Sequence, residues 1–229
     1  MKKLLFLSLL FTSQFSTQFI HANSLPVLEQ SSLCKAIRNE IKSGDLIFTA
    51  VDSFIFKQVA KDTQTWTSHV GITFFDDGEW YVYESKIPVS VATPLCNFID
   101  RSLNEQVEVR RFQLRLNKNI LKDMKSSAEE RLGYYYDTGF NYDNETRMYC
   151  SKFVYQIYED VDIQVGKIES MKDLLESNLN ADVDFWKTWY LGRIPWERRI
   201  ITPASLLHDP KFATIFSNNV KTANSQHQQ

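Results

Sequence analysis

Apolar and polar residues change their period several times along this chain, and each change marks an element. Leu33, Ile37 and Ile41 recur at helical spacing behind Ser31 and Ser32, either of which suits an N-cap, and Ser43-Gly44-Asp45 closes the run. Leu46-Ile47-Phe48 reads as a short buried strand and residues 53–61 as a second short helix. Residues 69–75 and 79–85 are rich in β-branched and aromatic side chains and flank Asp77-Gly78, a hairpin signal. Residues 107–116 alternate as a strand, and residues 119–132 read as a helix stopped by Gly133. Tyr149-Cys150 opens a run whose Phe153, Val154, Ile157, Tyr158 and Val161 share one helical face. An aromatic stretch follows over residues 185–196, Thr202-Pro203 starts a last short helix, and residues 217–229 read as a polar tail. With no repeat and no low-complexity linker, the pattern predicts one α+β domain over residues 23–216, a small antiparallel sheet packed on helices.

The start of the chain has a different pattern. Lys2 and Lys3 precede an apolar run from Leu4 to Phe11, and Ala22 offers a small residue for cleavage. Residues 1–22 thus read as a secretory signal, and the mature protein is expected to be periplasmic or secreted. The run is far shorter than the roughly 20 apolar residues that span a bilayer, so no transmembrane segment is expected in the mature chain. A formal charge of −2 without a basic block argues against nucleic-acid partners. The seven glycines form no nucleotide-binding loop and the four histidines no H-E-x-x-H, so neither cofactor nor metal is expected. The three cysteines cannot all pair within one chain. In an oxidising compartment Cys34 and Cys96 are candidates for a disulfide that leaves Cys150 free, although spacing alone leaves that pairing open.

The hairpin brings two of the scarce polar groups together. With a two-residue turn at Asp77-Gly78, positions summing to 155 face each other. Gly71 then lies opposite Glu84, and His69 and Glu84 become diagonal neighbours on one face, with no side chain at Gly71 between them. A carboxylate there fixes the tautomer of the imidazole and favours its charged form. Cys150, at the entrance to an amphipathic helix, stands where the macrodipole and free N–H groups stabilise a thiolate. Together they suit nucleophilic catalysis by a Cys–His pair with an orienting carboxylate. A surface His–Glu pair and a buried structural cysteine are the plain alternatives.

The residues also carry a resemblance. Gly44-Asp45-Leu46-Ile47-Phe48, Thr67-Ser68-His69-Val70-Gly71-Ile72, Tyr83-Glu84-Ser85, Tyr136-Asp137, Tyr149-Cys150-Ser151-Lys152-Phe153-Val154 and Ile201-Thr202-Pro203-Ala204-Ser205-Leu206 resemble, in order, the YaeF/YiiX family of permuted papain-like amidases. The likeness covers about residues 40–215 and implies a circularly permuted papain-like (NlpC-type) fold. It implies Cys150 as nucleophile, His69 as general base and Glu84 as orienting carboxylate. Tyr149, Tyr136, Asp137 and Ser151 are candidates for substrate-binding or support, Asp137 as a brace for the loop before the nucleophile. Lys152 and Ser205 depart from the acidic residues expected at their positions, Lys152 with an expected effect on pocket charge. The expected activity is cleavage of an amide bond through a thioester, with a peptide or acyl substrate such as the stem peptides of murein. The aromatic stretch keeps open a lipid or N-acyl hydrolase or acyltransferase, and a non-catalytic binding protein is the third reading.

Overall fold

In the computed structural model, residues 31–219 are described. The signal-peptide reading of residues 1–22 lies outside them, as does most of the polar tail. Helix α1 (Ser32–Glu40) opens at Ser31, whose hydroxyl accepts from the backbone N–H of Cys34. Strand β1 (Leu46–Thr49) is buried along its whole length, and α2 (Phe54–Asp62) follows. Strands β2 (His69–Asp76) and β3 (Glu79–Ser85) pair antiparallel in the expected register, with Ile72 opposite Tyr83 and Asp76 opposite Glu79. Asp77 and Gly78 both have positive φ (44° and 83°), the two-residue turn whose twist matches a hairpin.

Two strands of the main sheet, the two at its edges, lie outside the elements the sequence pattern predicts. Strand β4 (Ser90–Pro94) pairs with β3 and leads into the short helix α3 (Leu95–Ile99). After β5 (Val107–Phe112), α4 (Lys118–Glu130), β6 (Tyr135–Tyr136), β7 (Arg147–Met148), α5 (Cys150–Glu159), β8 (Glu169–Ser170), α6 (Met171–Glu176), α7 (Val183–Trp189), β9 (Arg199–Ile200) and α8 (Pro203–Leu207), the chain returns as β10 (Phe212–Ser217). Strand β5 stops short of the expected residue 116 because its ladder runs out: the last pairs are Arg110 with Leu46 of β1 and Phe112 with Phe212 of β10. The main sheet has six antiparallel strands in the order β10-β5-β1-β2-β3-β4. Asn218, just past β10, accepts from Val107 N–H and donates to Glu105 O, which ties the end of the strand to the start of β5.

The sheet separates two apolar layers. On one side Phe48, Val70, Ile72, Phe74 and Tyr83 pack against Phe153, Val154, Ile157 and Tyr158 of α5. On the other, Ile47, Val82, Val107 and Val109 meet α1 and α3, which the Cys34–Cys96 disulfide joins. Buried apolar area of this kind is the main stabilising term, at roughly 25 cal/mol per Å². No described helix is long and apolar enough to cross a membrane.

Candidate active site

Cys150 is the first residue of α5 and the one free cysteine among the described residues, almost wholly buried. A parallel bridge positions it: Tyr136 pairs with Met148, and Asp137 N–H donates to Met148 O, so the chain reaches the helix already fixed. Tyr149, the N-cap residue, makes no side-chain cap bond, which leaves the first N–H groups of α5 free of that competitor. Ser68 O lies 4.0 Å from Cys150 Sγ.

His69 begins β2, anchored where Thr67 Oγ1 donates to Thr49 O (2.8 Å) and His69 O (3.1 Å). Its Nε2 donates to Glu84 Oε2 at 2.6 Å, both side chains being buried. With Nε2 engaged there, the ring's hydrogen bond to Cys150 falls to Nδ1. Cys150, His69 and Glu84, the three residues expected from sequence to react, are therefore neighbours in the structure. Gly71 does allow this, by a different contact. A Cβ there would lie 2.4 Å from Val82 Cγ1 and 3.4 Å from the Phe98 ring, which itself packs on His69 at 5.6 Å between centroids.

The charges follow from these contacts. Burial lowers the His69 pKa, but hydrogen bonds and charge from Cys150 and Glu84 outweigh it and bring the imidazolium up to about 9. Burial raises Glu84, and the hydrogen bond and charge of His69 with those of Arg101 carry it down to about 2. Burial also raises the Cys150 thiol, yet His69 and the N–H groups of Val70 and Ser151 hold it below its ordinary value. The arrangement favours a thiolate–imidazolium pair in a dry setting.

Two partners of Glu84 carried no signal in the sequence. Thr93 Oγ1 and Arg101 Nη2 each donate to Oε1 at 2.6 Å. Both lie outside the Tyr83-Glu84-Ser85 motif, 9 and 17 residues beyond Glu84, Thr93 on a strand the pattern did not reveal.

The supporting candidates divide. Tyr136 Oη is buried without a hydrogen bond of ordinary geometry, and burial with the neighbouring Cys150 charge raises its phenol far above the usual range. Asp137 braces the loop as expected, accepting from the N–H groups of Gly139 (2.9 Å) and Asn141 (3.1 Å). Tyr149 Oη accepts from Ile201 N–H, and Ser151 Oγ donates to Ile201 O at 2.7 Å, so both clamp α5 to the segment after β9. Lys152 points away from the cavity and donates to Asn144 O and Arg147 O, so its charge serves the loop and not the pocket. Ser205 bonds both backbone groups of Lys167. His208 caps the end of α8 on the surface.

Beside Cys150 lies a narrow cavity lined by Phe56, Phe140, Met171, Leu174 and Trp186 together with the polar Asp62, Thr63 and Thr202. Trp186 supplies the core-facing part of the aromatic stretch, whereas Leu191 and Trp196 are exposed.

A family model for the permuted papain-like amidase enzymes, YaeF/YiiX, C92 family, matches residues 40–216. The chain belongs to this family. It is 28% identical over 196 residues to the uncharacterized protein YiiX of Escherichia coli strain K12, covering 84% of this chain and 95% of that one. The crystal structure of metalloprotein yiiX from Escherichia coli O157:H7 is similar in fold, with a TM-score of 0.69 at 24% identity over 78% of this chain and 98% of that one. As a YaeF/YiiX family member the protein is an amidase-type hydrolase of α+β, permuted papain-like fold. Among the described residues no group of three or more His, Cys, Asp or Glu is placed to hold a metal ion.

Proposed function

We propose that the protein is an exported cysteine amidase in which Cys150, His69 and Glu84 cleave an amide bond through a thioester. The observation that carries this reading is the buried line from thiol to imidazole to carboxylate, with the thiol below and the imidazole above its ordinary pKa. The Cys150 thiolate attacks the amide carbon, forming the C–S bond and placing negative charge on oxygen. The Cys150 N–H and Tyr136 Oη, the buried phenol without an ordinary partner, receive that charge. His69 then gives its Nδ1 proton to the departing nitrogen as the C–N bond breaks. Neutral His69 takes a proton from water, the resulting hydroxide equivalent attacks the thioester, and the C–S bond breaks to release the acid and restore the thiolate. Glu84 keeps the imidazole in one tautomer throughout.

Export rests on the basic-then-apolar start of the chain, and a disulfide suits an oxidising compartment. In that compartment murein stem peptides are an available amide substrate. A second reading rests on the large apolar side chains Phe56, Phe140, Met171, Leu174 and Trp186 in the cavity lining, which would suit a lipid or N-acyl group. Incubation with murein fragments and with N-acyl amides or esters, followed by mass analysis of products, separates the two. Release of stem-peptide products supports the first, and turnover of acyl substrates alone replaces it with the second. A Cys150→Ala protein that still hydrolyses either substrate overturns the assignment of the nucleophile.

A further inference from the structure

The nine residues from Thr93 to Arg101 bring three groups to bear on the His69–Glu84 pair. Thr93 reaches Glu84 from β4, and Phe98 lays its ring against His69 from α3 at 5.6 Å and 30°. Arg101, just past α3, reaches Glu84 at 2.6 Å while its guanidinium sits 5.2 Å over the Phe98 ring. The same short helix carries Cys96, bonded to the fully buried Cys34 of α1. Beyond Arg101 the chain is held again, where Leu103 N–H donates to Ala50 O and Ala50 N–H to Ser102 Oγ. A helix of five residues has little stability of its own, so its position depends on such anchors.

We infer that the segment from Thr93 to Arg101, stapled to α1 by the Cys34–Cys96 disulfide, is the orienting frame of the catalytic base, with Thr93 and Arg101 as positioning residues that act on His69 through Glu84. This rests on the roles given above to Cys150, His69 and Glu84. Glu84 Oε1 takes both outer donors and Oε2 takes His69 alone, so the outer bonds set the rotation of the carboxylate and hence the aim of the imidazole. The groups facing Glu84 are His69 from β2, Thr93 from β4 and Arg101 beyond α3, with Cys150 of α5 behind His69. Arg101 is 41% exposed, so water screens its charge at the more distant thiol, whereas its direct bond to a fully buried oxygen is not so weakened. Loss of the bond therefore dominates loss of the charge.

The oxidised full chain offers a direct readout, because alkylation by iodoacetamide meets Cys150 as its only thiol. The rate is measured against pH for the wild type, Arg101→Gln, Arg101→Lys, Thr93→Val and the double variant Cys34→Ser/Cys96→Ser, with circular dichroism to confirm folding. The wild type should alkylate well below the ordinary thiol value of about 8.5. Arg101→Gln should move the acid limb up by roughly half to one pH unit, Arg101→Lys should restore part of it, and Thr93→Val and the disulfide variant should move it in the same direction. A role in folding alone would leave the limb where it is. A folded Arg101→Gln with the wild-type limb overturns the inference, and a folded disulfide variant with the wild-type limb removes the staple from it. If the double variant does not fold, the arginine series decides. A wild-type protein that alkylates like an ordinary thiol overturns the Cys150–His69 pairing itself, a separate result.

Discussion

Asp45 and Glu84 are both buried carboxylates bound to an arginine, and they behave in opposite ways. Asp45, just before β1, takes Arg111 Nε and Nη2 at 2.8 Å each and the N–H of Lys42 at 2.7 Å. Burial is the largest influence on it and leaves its pKa raised in spite of these donors. Glu84 has one bond from Arg101, one from a hydroxyl and one from His69, yet its pKa falls to about 2. An arginine alone does not settle the state of a buried carboxylate. What differs is His69, a second cation enclosed with Glu84 and itself held charged by a thiolate. Asp45–Arg111 is a brace between β1 and β5, and Glu84 ends a relay of contacts that runs through His69 to Cys150.

The largest expected effect separates them by activity. Glu84→Gln keeps the shape and removes the charge, so hydrolysis should fall on the order of a hundredfold to ten-thousandfold in kcat. Asp45→Asn should stay within about threefold, since Asp45 touches no reacting group. Equal losses in a steady-state assay on one substrate would erase the contrast.

The next effect is on stability against pH, followed by the urea midpoint. Glu84 is lowered from 4.5 to about 2, so its contribution is whole above pH 4.5 and is lost as pH falls toward 2. His69 is raised from 6.5 to about 9, so its contribution is whole below pH 6.5 and is lost as pH rises through 9. The relay therefore stabilises most between pH 4.5 and 6.5. Asp45 has the sign of a raised group: its contribution is present below 3.8 and is lost as pH rises through its folded value. Glu84→Gln should flatten both limbs of the profile, whereas Asp45→Asn should steepen the acid limb by removing an offset. Both variants bending the profile the same way would contradict the comparison.

The smallest effect concerns a neighbour of the nucleophile. Ser151→Ala loses only the bond to Ile201 O, so it should cost about 0.5–1.5 kcal/mol in urea denaturation and leave kcat unchanged. A large fall in kcat would move Ser151 from the frame into the reacting groups.

The inner sheet and the His69–Glu84 contact were legible because both rest on local rules. A two-residue Asp77-Gly78 turn fixes the register for every pair up the hairpin, and that register alone places His69 beside Glu84. The spacing of Phe153, Val154, Ile157 and Tyr158 likewise announced the helix that Cys150 opens. Strands β4 and β10 escaped because they are the two edges of the sheet, where burial on one side is incomplete and alternation weak. A register shift between Thr214 and Phe216 further breaks the period of β10. Thr93 and Arg101 escaped for a related reason: their partner lies on another strand, and nothing within their own stretch of chain refers to it. The disulfide was one pairing among those open until geometry placed the two cysteines on facing helices.

Tyr136 pairs with Met148 across the parallel bridge of β6 and β7. The excursion between them is held by its own Asp137, Asn141 and Asn144 contacts and from outside by Lys152, Trp189, Tyr190 and Arg198. Phe140, from that excursion, forms part of the wall beside the thiol. One short bridge thus sets where Cys150 stands, while the tip of the excursion at Phe140 shapes the space that a molecule would enter beside it.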